Sequence, residues 1–254
     1  MPKAINVLAV FAHPDDAEFL CAGTLALLAA RGARIQMATL TAGDCGSTTV
    51  PAARISKVRQ QEASRSATLI GARYRCLKSK DLLVFYDRPH LNKVMELVRQ
   101  TNPALVLTHS PVDYMIDHEM VSHLCQSACF GAMAPNFKTG TGRPAPPLKS
   151  VPHLYYAEAF GRRDIVGHKI ESTICVDIST TLKRKEEMLA CHESQQAWLK
   201  SQQGIPETIA TMRKMAKAAG KRAGFRWAEG FRQHLGQGFP ASNLLKELLG
   251  GIVR

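Results

Sequence analysis

The first apolar run, residues 5–11, is broken only by Asn6 and is too short for a helix, so it reads as a strand buried on both faces of a parallel sheet. The next stretch, 18–30, has helical length and Leu/Ala content, Gly32 supplies a stop, and 34–41 predicts a second strand. The pattern repeats with a helix over 53–69, a short strand near Tyr74, a helix over 91–99 and a strand over 104–108 after the Asn102-Pro103 punctuation. Strands alternating with helices predict an α/β fold, a doubly wound and mostly parallel sheet with helices on both faces.

The rest of the chain is patterned differently. Residues 134–152 (APNFKTGTGRPAPPLKSVP) are rich in Pro, Gly and Lys, sustain neither a helix nor a central strand, and read as a mobile loop bordering a pocket. Two further strand-like runs, 153–157 and 173–178, precede a largely helical third from 180 onward. There is no internal repeat, and 254 residues are read as a single domain: a core over 1–133 carrying the polar clusters, the loop 134–152, and the last strands with a helical extension over 153–254.

Composition narrows the class. With 45% apolar, 21% charged and 6% aromatic residues the chain is globular rather than disordered or fibrous. Its net charge of +12 favours anionic partners, and residues 212–232 carry seven Lys/Arg against one Glu, although such a run is most often the solvated side of an amphipathic helix. Seven cysteines, odd in number and without a CxxC pair, suit a reduced cytoplasmic protein rather than a disulfide framework. Cys125 and Cys129 are read as small core residues. The N-terminal apolar run is too short for a signal peptide or a span of about 20 apolar residues, so no membrane insertion is expected.

Ligands in open α/β sheets sit beyond the carboxyl ends of the strands, and two polar clusters fall there. One is His13-Pro14-Asp15-Asp16 after the first strand; the other is HSPVDYMIDH at 109–118, bringing His109, Asp113, Asp117 and His118. If they converge, His13, Asp16 and His118 provide two imidazoles and a carboxylate, a set that holds a catalytic Zn²⁺ with a position left for water, and Asp15 remains as a free carboxylate. Two adjacent carboxylates repel unless a metal or a proton-transfer role compensates them. Asp117 suits a helix cap or support of a metal ligand from behind. The dinucleotide, P-loop and serine-elbow motifs are absent.

AHPDDAEFLCAGTL at 12–25, with TAGDCGS at 41–47, RQQEASRSATLIG at 59–71, the pair Asp117-His118 and HESQ at 192–195, resembles the LmbE-like, or PIG-L, zinc-dependent de-N-acetylases. The resemblance implies a Rossmann-like fold and hydrolysis of an acetamide on an N-acetylglucosamine-type sugar or conjugate. It implies one Zn²⁺ per chain on His13, Asp16 and His118, Asp15 as general base, and Arg59 and Asp81 against the substrate. His192 and WAEGF at 227–231 look like C-terminal features of the family. The expected partner is a small acetamido sugar, with assembly as a homo-oligomer and, despite the charge, no nucleic acid. Two other readings stand beside it: a non-haem Fe(II) oxygenase, which uses the same two-His, one-carboxylate set, and a carbohydrate or nucleic-acid binding module without turnover. Many relatives carry a histidine thought to stabilise the oxyanion where this chain has Met115; as a replacement donor His109 ranks ahead of Tyr114 and His123.

Overall fold

The computed structural model describes residues 4–202 and 207–254. They form a seven-stranded sheet built from β1 (Asn6–Phe11), β2 (Arg34–Thr41), β3 (Arg73–Ser79), β4 (Leu105–Thr108), β5 (His153–Ala157), β6 (Ile174–Asp177) and β7 (Ala228–Gln233). The order is β3-β2-β1-β4-β5-β7-β6; the first five run parallel, and β7 lies antiparallel between β5 and β6. This is an open α/β sheet of Rossmann-like order, as expected.

Alternation along β1 explains why both faces are covered. Val7, Ala9 and Phe11 enter one core with α2 (Ala22–Ala30), α3 (Ala52–Thr68), α6 (Leu182–Ala190), α8 (Thr208–Ala223) and α9 (Leu244–Leu249). Leu8, Val10 and Ala12 enter the other with α4 (Arg88–Thr101) and α5 (Ile116–Gly131). All seven cysteines are free, Cys125 and Cys129 are buried as expected, and no helix of the described residues is long and apolar enough to cross a membrane.

Three expectations need correction. The helix expected over 18–30 is two helices, α1 (Asp16–Leu20) and α2, because the chain turns at Cys21 and the freed Gly23 and Thr24 amides donate to the buried Glu229 carboxylate at 2.9 and 2.7 Å. The C-terminal third contains β7, fixed in the sheet by that carboxylate and its 2.5 Å pair with buried Lys185. The stretch 134–152 is tied down: Glu96 accepts from the Thr139 hydroxyl and the Ala145 amide, and Arg99 donates to the carbonyls of Ala132, Ala134 and Phe137. It lines none of the cavity that holds the polar clusters.

Candidate active site

The clusters converge. β1 and β4 are neighbours in the sheet, so the turn after β1 and the start of α5 meet beyond their carboxyl ends. Asp15, at the head of α1, has φ +104°, a left-handed conformation that a non-glycine side chain adopts at a cost of about 1–3 kcal/mol. Its buried carboxyl lines a cavity of about 350 Å³, shared with His13, Asp16, Asp113 and His118.

His13, Asp16 and His118 place one ligand atom each within 4.8 Å of one another. Each imidazole is held from behind by its own carboxylate: His13 Nε2 donates to Asp117 Oδ2 at 3.1 Å, and His118 Nδ1 donates to Asp113 Oδ1 at 2.9 Å. That leaves His13 Nδ1 and His118 Nε2 on the side of Asp16, at 3.4 and 3.6 Å from its oxygens. Two oriented imidazoles and one carboxylate fit a divalent cation, and carboxylates behind the ring nitrogens are the usual support of metal-binding histidines. The Asp44, Cys45 and Asp81 group does not fit, since its carboxylates already accept backbone amides and Asp44 pairs with Lys80.

Charges follow from this crowding. Burial opposes ionisation of Asp16, but the imidazoles of His118 and His109 outweigh it and hold the carboxyl well below its usual range. Burial, then the Asp16 charge, pushes Asp15 up to about 7. Burial pulls His13 down, but its bonds to Asp117 and Asp16 more than reverse this and raise it to about 10.

His109 is not a donor to the cavity. It is fully buried, stacks on His118 at 3.9 Å, and its Nε2 receives the Ala12 amide at 3.0 Å, while Nδ1 has no partner among the described residues. It does not belong to the cavity lining. His123 is half-buried and outside the cavity lining. Tyr114, by contrast, lines the cavity edge-on to His118 at 5.4 Å, beside the thioether of Met115.

Arg59 and Asp81, the residues expected against the substrate, both line the cavity. Asp81 accepts the Gly43 and Cys45 amides and so shapes the loop after β2, and that loop wraps the buried Arg59, whose Nη2 donates to the Gly46 carbonyl at 3.0 Å. A Cβ at Gly43 or Gly46 would overlap the Arg59 side chain, which accounts for glycine at both positions. His192 is buried beside Glu18 at 3.1 Å, outside the cavity lining.

Three walls had no sequence signal of their own: Phe160 in a short helical turn after β5, and Trp198 and Leu199 in α7 (Glu193–Gln202). Phe19 and Leu20 of α1 and Gln195 lie inside the noted motifs AHPDDAEFLCAGTL and HESQ, though no role was read for them.

The chain is similar to several known proteins. The chain is 29% identical over 143 residues to 4-oxalmesaconate hydratase of Pseudomonas putida, a match covering 53% of this chain and 55% of the relative. It is 28% identical over 238 residues to diacetylchitobiose deacetylase of Thermococcus kodakarensis, covering 89% of this chain and 82% of the relative. The N,N'-diacetylchitobiose deacetylase of Pyrococcus horikoshii shares the fold at a TM-score of 0.75 and 22% identity, over 95% of this chain and 89% of that one. Residues 8–129, which span both polar clusters, match the family model for PIG-L, the GlcNAc-PI de-N-acetylases, and this half of the chain is what resembles that family.

Proposed function

We propose that this protein is a metal-dependent hydrolase that removes the acetyl group from the nitrogen of an N-acetylglucosamine-type sugar or conjugate, with zinc on His13, Asp16 and His118. The observation that carries the reading is the buried Asp15 carboxyl beside that ligand set in one cavity. Similarity to a diacetylchitobiose deacetylase over most of the chain supports it. Zinc, when bound, would polarise the acetamide carbonyl and bring the pKa of water towards about 7.

The chain's own groups supply the rest. Asp15 takes a proton from water as its oxygen bonds to the carbonyl carbon and the carbonyl electron pair moves onto oxygen. The same carboxyl returns the proton to nitrogen as the C–N bond breaks, giving acetate and the free amine. Tyr114, which lines the cavity with its ring against His118, donates its hydroxyl to the developing oxyanion in place of the thioether at Met115. Arg59 and Asp81, on the same polar edge as Asp15, bind sugar hydroxyls. The reduced cysteines suit a cytoplasmic enzyme.

A second reading, addition of water to the double bond of an acidic substrate, is favoured by the Arg59 guanidinium at the cavity wall and by similarity to a hydratase. Incubation of the zinc-loaded protein with N,N'-diacetylchitobiose and acetamido sugar conjugates, with amine and acetate both measured, and in parallel with an unsaturated dicarboxylic acid followed by its ultraviolet absorbance, is the test. Equal release of the two supports deacetylation; loss of an enoate's ultraviolet absorbance without any amine would replace it with hydration.

A further inference from the structure

The cavity has two unlike sides. One end carries His13, Asp15, Asp16 and His118; the other is built from rings. From His118 a series runs away from the ligand set: His118 to Tyr114 at 5.4 Å between centroids, Tyr114 to Phe160 at 5.7 Å, and Phe160 to Phe19 at 5.6 Å. Each step lies within the spacing at which aromatic rings attract one another, so the series is a packed wall. Trp198 and Leu199 of α7 add to the lining.

The wall is longer than an acetamido sugar requires. An acetyl methyl needs one apolar contact and the C–H face of a sugar needs one ring, whereas here three rings follow His118 in series. The apolar surface also continues outside: Leu82 lines the cavity yet is 59% exposed, and Leu83, Phe85, Tyr86 and Ile116 are more than half exposed near it. These side chains belong to one surface, because the Leu82 amide donates to Asp117 of α5 and the Tyr86 hydroxyl bonds Ser127 of the same helix. Exposed apolar side chains gathered at a cavity mouth mark a binding surface.

We propose, on the deacetylase reading above, that the substrate is an acetamido sugar carrying an apolar, ring-sized aglycone, with the acetamide at the ligand set and the aglycone against Tyr114, Phe160 and Trp198. The polar edge of Asp15, Arg59 and Asp81 meets the hydroxyls, and the ring wall meets the aglycone. A neutral amphiphile matches both sides; a free, fully hydroxylated sugar leaves the ring wall in water.

The test compares the phenyl and methyl glycosides of N-acetylglucosamine. Their dissociation constants are measured by calorimetry on the zinc-loaded Asp15→Asn variant, in which turnover does not interfere. Burial of a phenyl ring at roughly 25 cal/mol per Å² predicts binding at least about tenfold tighter for the phenyl glycoside. In the same background Phe160→Leu and Phe160→Ala should reduce that preference to within about threefold, the alanine variant more, because the ring contact shrinks and then disappears. Equal affinities, no binding of either glycoside, or an unchanged preference in both Phe160 variants would overturn the proposal. Amine release from the same glycosides by the unaltered enzyme is a separate readout: its absence would reject the deacetylase reading, while the affinity ratio still decides the apolar subsite.

Discussion

Asp15 sits in a strained backbone position with its carboxyl raised to about 7 by burial, in the cavity it shares with the candidate metal ligands His13, Asp16 and His118. The roles of the neighbouring side chains separate by what survives substitution. Removing one of three protein ligands, in His13→Ala or His118→Ala, should abolish most bound metal, whereas Asp15→Asn should keep the metal and lower kcat by about 10²-fold or more. Metal analysis beside steady-state rates checks this, and full metal content in either histidine variant would reject the ligand assignment. Tyr114→Phe removes a hydroxyl and little else. At unchanged metal occupancy kcat should drop at least about tenfold with a smaller change in KM, since the donor acts on charge that develops only as water attacks. His109→Ala acts through packing under His118, so its activity loss should track lost metal.

Elements place these residues through a few buried polar ties. Glu96 of α4 is one: the Thr139 hydroxyl, the Ala145 amide and Gln100 all donate to it, and although burial opposes ionisation these bonds keep its carboxyl below the usual range. A carboxyl whose folded pKa is depressed stabilises the fold above its unfolded pKa, and loses that contribution as pH falls through the folded value. Glu96→Ala should therefore cost about 2 kcal/mol at neutral pH, a Tm drop of about 5 °C, and the gap to the unaltered protein should narrow below about pH 4. Thermal unfolding across that pH range is the measurement; a gap independent of pH would assign the loss to packing rather than charge. Limited proteolysis should cut within 134–152 sooner in the variant, since that stretch is anchored here and at Arg99.

Over the whole molecule the +12 charge is not gathered into one grip. In α8, Met212, Ala216, Ala219 and Gly220 are buried while Lys217 and Lys221 face solvent, Arg213 pairs with Glu186, Arg222 pairs with Glu158, and beyond the helix Arg232 donates to Ser110. Lys217→Glu with Lys221→Glu should leave kcat/KM for a neutral acetamido sugar within a few-fold, because exposed charges are screened beyond about 10 Å at roughly 0.1 M salt. A large, salt-dependent loss in that assay would reveal an anionic substrate. What the chain determined by itself is local or adjacent in sequence: β2 and β5 fall on the expected residues, since apolar runs bounded by Gly and Pro need no distant partner to be read. The His13-to-Asp16 and 109–118 clusters were legible for the same reason, because strand ends deliver polar residues to one rim. Tertiary structure decided what depends on groups far apart in the chain. β7, reading AEGFRQ, has no clean alternation and becomes a strand through its place between β5 and β6. The break at Cys21 depends on a carboxylate more than 200 residues away. Likewise, His109 is held in the interior by the Ala12 amide while Tyr114 lines the cavity, and the ring wall exists because Phe19, Tyr114 and Phe160, which share no sequence period, are packed side by side by the fold.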